Sequence, residues 1–236
     1  MEQAWSSAHA DFLSSLSQEE MDSLLSRARS IELAQGDLLF EAGDRSDNVF
    51  IVGTGCIKLF QLSPAGRQTI LWFGFHGEIF GIAEILSGID REIYAEANVP
   101  SGIYSISQPD FLDFLRTYPE ASMRAIGILS ARVRTLGLSL VDMATDDVET
   151  RLARLLMRFA AISGKSHCAD FENEGEICVN VRLTHQDIAN LIGSSRQTVT
   201  ATLTNLRKRG TLRSVDHHIH IVRLDHLKRM TELAIM

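Results

Sequence analysis

Cysteine is scarce in this 236-residue chain: Cys56, Cys168 and Cys178 are the only three, with neither paired nor metal-like spacing. An odd count without an export signal points to a reducing cytoplasm, not to a disulfide scaffold or a zinc module. Long apolar runs are missing too. No stretch approaches the ~18 residues a membrane span requires. Met1 to Leu13 carries Glu2 and Asp11 in place of an apolar core, so a signal peptide is not expected. Catalytic groupings are equally thin. No Ser, His and Asp set has a supporting motif, and the segment from Ser30 to Ser107 holds one histidine, His76. Gly164-Lys165-Ser166 mimics the end of a phosphate loop, but Phe159 stands where that loop needs its first glycine. An enzyme is not expected.

What is present is unevenly charged. The chain carries a net charge of −7, yet from Thr150 onward thirteen Lys and Arg stand against eight Asp and Glu. That part is +5 and the first 149 residues are −12. Such asymmetry suits one half shaped to meet a polyanion, joined to another that is not.

Residues 184–210 are where the positive half concentrates its signals. Thr184 with Asp187 three residues on is a capping-box pattern and predicts a helix start. Ile188, Leu191 and Ile192 share one face of that helix, and Gly193 closes it. Ser194 with Gln197 predicts a second start. There Val199, Leu203 and Leu206 point inward, while Gln197, Thr200, Ala201, Thr204 and Lys208 point out, with Arg196 on the flank. Arg207-Lys208-Arg209 ends it with charge suited to the helix dipole. Two short capped helices around a glycine turn describe a helix-turn-helix. Arg196 and Gln197 can make paired hydrogen bonds to guanine and adenine edges. Ser194, Ser195 and Thr198 are placed for phosphate oxygens, and Thr184 and His185 are further DNA-binding candidates.

Upstream, Ser17 with Glu20 predicts another capped helix. Short β-type runs follow at 31–33, 38–41, 49–52, 57–62, 69–73, 93–99 and 103–106, cut by glycines. They predict an antiparallel barrel or jelly roll. A helix over 108–118 leads to Pro119 and a long helix on which Ile126, Leu129, Val133, Leu136, Leu140 and Met143 alternate in steps of three and four. That is the spacing of a coiled-coil seam, so two copies are expected to pair there. Thr145-Asp146-Asp147 marks a hinge, residues 148–162 an apolar helix and 177–183 a strand. Residues 212–215 and 218–222 form a hairpin wing, and 224–233 a last helix. His218 and His220, with His217 beside them, read as wing histidines near phosphate, since no Cys or carboxylate stands at zinc spacing. The expected class is α+β: a β-roll domain over 1–118, a dimerisation helix over 119–145, and a winged helix over 146–236.

This order resembles the CRP/FNR superfamily of bacterial transcription regulators. The resemblance is carried by Gly36-Asp37, by residues 49–60, by Gly77-Glu-Ile-Phe-Gly81 and by residues 184–210. It implies a cytoplasmic homodimer that binds inverted repeats in double-stranded DNA, works with RNA polymerase, and responds to a small effector in the roll. Gly81, Ile82, Arg91, Glu92, Leu136, Gly137 and Leu140 fall on the effector positions. Cyclic AMP is not expected among the effectors. Ile82 replaces the ribose-binding Glu, Glu92 follows Arg91 where a Ser is needed, and Leu136-Gly137 replaces the Thr-Ser pair that holds the purine. An iron–sulfur cluster is not expected either, because no cysteine precedes Cys56. Haem remains the alternative effector, for carbon monoxide or nitric oxide sensing, with His76 as the ligand candidate. A cupin-type metal enzyme is the remote alternative.

Overall fold

The structure, a computed structural model, describes residues 11–162, 176–179, 181–215 and 218–232. It divides into two compact units, Ser7–Val133 and Arg134–Met236. Gly164-Lys165-Ser166, Cys168 and His217 lie outside the described residues.

The first unit opens with α1 (Phe12–Ser15), capped by Asp11, and α2 (Gln18–Leu25). The capping box foreseen at Ser17 is formed: Glu20 N donates to Ser17 Oγ at 3.2 Å, and Ser17 N donates to Glu20 Oε2 at 2.7 Å. Eight strands follow, β1 (Arg29–Leu33), β2 (Leu38–Phe40), β3 (Asn48–Thr54), β4 (Ile57–Leu62), β5 (Gln68–Gly74), β6 (Ile79–Phe80), β7 (Tyr94–Ala97) and β8 (Ser101–Ser107). They form two antiparallel sheets, ordered β1-β8-β3-β6 and β2-β7-β4-β5. The interleaving means that neighbours in space are distant in sequence, as a roll requires. Alternate side chains of β3 and β8 turn inward. Val49, Ile51, Ile79, Ile82, Ile85 and Ile106 make a core shared with Phe12, Leu24, Phe111 and Phe114. Between the sheets' strands sits α3 (Ile82–Ser87), and α4 (Gln108–Thr117), capped by Ser107, closes the roll.

The long helix α5 (Pro119–Thr145) begins in the first unit, where Ala121, Ala125 and Ile128 join the roll's core, and continues into the second. There it meets α6 (Val148–Ile162), whose first turn is capped by Asp147 accepting from Thr150 N at 2.8 Å. The expected hinge at 145–147 is a braced corner. Arg154 Nε reaches Asp146 at 2.7 Å and Asp142 at 3.7 Å, and Arg158 pairs with Asp142 and donates to Ser139 Oγ at 3.2 Å. All four charged side chains are nearly buried. Buried guanidinium–carboxylate networks fix geometry, because losing one member strands the others in a low dielectric.

Beyond α6 come β9 (Ile177–Val179), α7 (His185–Ile192), α8 (Arg196–Lys208), β10 (Leu212–Val215), β11 (His218–Ile221) and α9 (Leu224–Glu232). The strands make a three-stranded sheet ordered β10-β11-β9. The strand predicted to run to Leu183 stops at Val179. Cys56 is a free, buried thiol. Among the described residues no helix is long and apolar enough to cross a membrane.

Candidate nucleic-acid interface and effector region

The helix-turn-helix assembles from its caps. Thr184 Oγ1 accepts from Asp187 N at 3.0 Å and Asp187 Oδ2 accepts from Thr184 N at 2.9 Å, which starts α7. Gly193, at φ 62°, ends it in the left-handed conformation that glycine adopts freely. Ser194 N then donates to Ala189 O at 2.9 Å as the last bond of that turn. Ser194 is therefore committed to α7. The cap of α8 is Ser195, which stays extended and accepts from Thr198 N at 3.1 Å, one residue later than the Ser194–Gln197 pattern predicts.

Val199, Leu203 and Leu206 are fully buried beneath α8, together with Ile188 of α7. Arg196, Gln197, Thr198, Thr200, Ala201, Thr204 and Lys208 are exposed on its other side, with Ser195 at its start and Ser194 half-buried in the turn. Thr184 is exposed and His185 half-buried at the start of α7. Arg209 is drawn aside to Glu149 of α6 at 3.0 Å, which leaves Lys208 as the open charge at the helix end.

His185 joins the two helices: its Nδ1 lies 2.8 Å from Thr200 Oγ1. Burial holds the imidazole below its ordinary pKa, and the positive charges of Arg207 and Arg196 add to the effect. The folded chain thus favours neutral His185 more than the unfolded chain does. Protonation as the pH falls through the ordinary histidine range works against folding, whereas a neighbouring phosphate would favour it. Operator affinity should therefore rise as pH is lowered from about 8 to about 6, and His185→Gln should flatten part of that slope. Titrations of both proteins at constant ionic strength check this; identical slopes would remove His185 from the interface.

Of the described wing histidines, His220 is the one turned away from solvent. His220 is 3 % exposed, and its Nδ1 lies 3.8 Å from Glu176, which also holds Arg213 at 2.6 Å. It faces the interior of the sheet and cannot meet phosphate. His218 is half-buried on the same strand. Among the described residues no group of three metal-binding side chains forms.

On α5 the expected seam is open. Ile126 is 54 % exposed, Val133 72 %, Leu136 42 % and Leu140 69 %. Leu129 is half-buried against the roll's core. Met143, at the seam's end, lies beside the helix-turn-helix, since a methyl added to Gly193 would stand 3.7 Å from its sulfur.

Of the residues matched to an effector site, Ile82 and Arg91 are taken up by the fold. Ile82 is part of the apolar core. Arg91, 3 % exposed, donates to the carbonyls of Gly81, at 3.2 Å, and Asn48, and pairs with Glu84 at 3.5 Å. Its guanidinium lies over the rings of Phe40 and Phe50, 4.6 and 5.4 Å from their centroids. Burial lowers its pKa, with Glu84 the first of three carboxylates opposing the shift. Arg91, an effector position by the resemblance, braces the wall under Gly81 in this fold, and Glu92 beside it is exposed. Gly137 is exposed on α5 with Leu136 and Leu140. His76 is also exposed and bonds the carbonyl of Gly53 through Nδ1. The His76 imidazole thus stands at the surface of the roll with Nδ1 engaged.

Sequence reasoning passed over a second cluster. Trp72 Nε1 donates to Glu78 Oε2 at 2.9 Å, Arg132 of α5 reaches the same oxygen at 3.3 Å, and its guanidinium stands 5.1 Å from the Trp72 ring. Burial lowers the Arg132 pKa and Glu78 opposes it. The same carboxylate and, more strongly, burial push the Cys56 thiol up, so it is inert at neutral pH. Alternation in β5 places Trp72 on an inner face, but no pattern in sequence reveals its partner sixty residues on.

Residues 150–230 match the Crp-like helix-turn-helix domain, and residues 30–118 match the cyclic nucleotide-binding domain. The global nitrogen regulator of Nostoc sp. is 30% identical over 173 residues, covering 72% of this chain and 75% of that one. The chain belongs to the CRP/FNR family of transcription regulators. A CRP-like cAMP-activated global transcriptional regulator from Mycobacterium tuberculosis is 25% identical over 206 residues, 87% of this chain and 89% of that one. The fold agrees with a CooA variant from Carboxydothermus hydrogenoformans at a TM-score of 0.76, with 21% identity, over 94% of this chain and 96% of that one. This CRP/FNR protein is thus a DNA-binding transcription regulator with an antiparallel β N-terminal domain, a long helix and a C-terminal helix-turn-helix.

Proposed function

We propose that this regulator is a cytoplasmic homodimer which pairs along α5 and places its two α8 helices in successive major grooves of an inverted repeat, next to RNA polymerase. The exposed apolar stripe from Ile126 to Leu140 carries this reading. Large side chains repeated at seam spacing and left in water are what a second copy would cover. Half-sites should then lie about one helical turn apart, ~34 Å. Light scattering of the purified protein, together with operator selection from random DNA, tests it. A monomer that selects no palindrome would overturn it.

Arg196 and Gln197 stand free at the start of α8 and set base preference in this reading. Arg196→Ala should cost ~1–3 kcal/mol and relax selectivity at one base pair per half-site. Footprinting on the selected operator and its single-base variants measures both effects.

The effector acts through the roll and is not a cyclic nucleotide. A cyclic phosphate needs an available cation, and Arg91 is already engaged by Glu84 and two carbonyls. Buried purine amines would meet Leu136 and Gly137, which offer no side-chain partner, an unfavourable exchange of about 1–3 kcal/mol per lost hydrogen bond. Calorimetry with cyclic AMP and cyclic GMP tests this point: micromolar binding of either would refute it.

A further inference from the structure

We propose that the middle of α8 reads thymine methyl groups and makes no hydrogen bond of its own to guanine; this rests on the operator-reading role given to α8 above. The outward stripe from Gln197 to Lys208 runs through Thr200, Ala201 and Thr204, all exposed. Its hydroxyls are already spent. Thr200 Oγ1 donates to the Arg196 carbonyl at 2.8 Å, and Thr204 Oγ1 donates to the Thr200 carbonyl at 2.8 Å. Thr202, at the edge of the stripe, donates to the Thr198 carbonyl at 2.9 Å. A hydroxyl has one proton, so each threonine has used its only donor inside the helix.

Thr200 is occupied twice. His185 Nδ1 stands 2.8 Å from its oxygen, and with the hydroxyl proton on the Arg196 carbonyl, that nitrogen must be the donor. Ala201 has no polar side-chain atom at all. Between Gln197 and Lys208, roughly 16 Å of helix axis, the exposed side chains of this face therefore offer methyl groups and no free hydroxyl proton, while Asn205 and Arg207 lie half-buried on its flanks. Guanine presents two acceptors to the major groove and would find nothing to satisfy them there. Thymine presents a methyl group that packs against alanine and threonine methyls. Polar reading is thus confined to the two ends of the helix, by Arg196 and Gln197 at one and Lys208 at the other.

The test uses the intact protein and its best selected operator. Each thymine of a half-site is replaced in turn by deoxyuridine, which removes only the 5-methyl group. One or two positions per half-site should then bind about threefold to tenfold more weakly. Thr204→Ser keeps the hydroxyl and loses the methyl, so it should weaken binding to the thymine operator by a similar factor. Thr204→Val keeps the methyl and loses the hydroxyl, and should bind as the parent does. If every deoxyuridine operator binds unchanged, or if Thr204→Val is the damaged variant, the proposal is wrong while α8 still reads DNA. If no operator can be selected at all, the DNA-reading role itself falls.

Discussion

Val133→Asp combined with Leu140→Asp is expected to yield a folded monomer whose operator affinity is lower by about 10²–10⁴-fold. Both side chains are mostly in water, at 72 % and 69 % exposure, so the fold of one copy loses almost nothing when they become polar. A second copy laid along α5 would bring them into contact with their own equivalents. Burying a carboxylate without a partner costs several kcal/mol, and like charges facing each other along the seam add to it. Once the copies part, each half-site is bound separately, and the effective concentration that linked the second recognition helix to the first is lost. Light scattering reads the mass, far-ultraviolet circular dichroism reads the fold, and an electrophoretic shift reads the affinity. A variant that stays dimeric, or a monomer that binds the whole palindrome undiminished, would put the dimer interface elsewhere.

The legible parts of this fold are those whose cause lies within about four residues. Capping boxes at Ser17–Glu20 and Thr184–Asp187 show because a side chain and a main-chain amide three residues apart complete each other. The stripe on α5 is legible for the same reason, being a periodicity along one helix. Short elements with weak caps are missed. Helix α3 has six residues and a glycine cap that offers no side-chain bond, and β6 has two residues. The one-residue error at Ser194 has a specific origin. Both serines can cap a helix, and only the bond from Ser194 N to Ala189 O decides that the first belongs to the turn.

Long-range pairings lie beyond that reach. Arg91 resembles a ligand-binding arginine in sequence, but the αL turn at Gly81 and the rings of Phe40 and Phe50 enclose it. His220 reads in sequence as a wing histidine near phosphate, yet it is buried with Glu176, more than forty positions earlier, 3.8 Å from its Nδ1. The corner at 145–147 reads as a hinge because Thr-Asp-Asp interrupts a helical pattern. Asp142 and Asp146 face Arg154 and Arg158 at matching i, i+4 spacings, and this ladder locks the corner.

Gly55→Ala is expected to be among the most damaging single substitutions in the roll, at about 3–5 kcal/mol. Gly55 sits between β3 and β4 at φ +83°. An added methyl would stand 2.5 Å from the Pro100 carbonyl oxygen, 2.8 Å from Ser101 Cα and 2.2 Å from Ser101 Oγ. The left-handed conformation alone costs a non-glycine residue roughly 1–2 kcal/mol. The rest comes from backbone that cannot step aside. Ser101 is buried at the start of β8, accepts from Cys56 N at 3.0 Å and donates to Val99 O at 2.7 Å, so moving it breaks the contact between the two sheets at that end. Gly66, at φ +73° with nothing within 4 Å of an added methyl, isolates the conformational part: Gly66→Ala should cost only the ~1–2 kcal/mol. Denaturant unfolding of the two variants side by side measures the difference. Equal losses would mean that the β3–β4 turn can shift away from β8, and that the roll holds α5 less firmly than this packing requires.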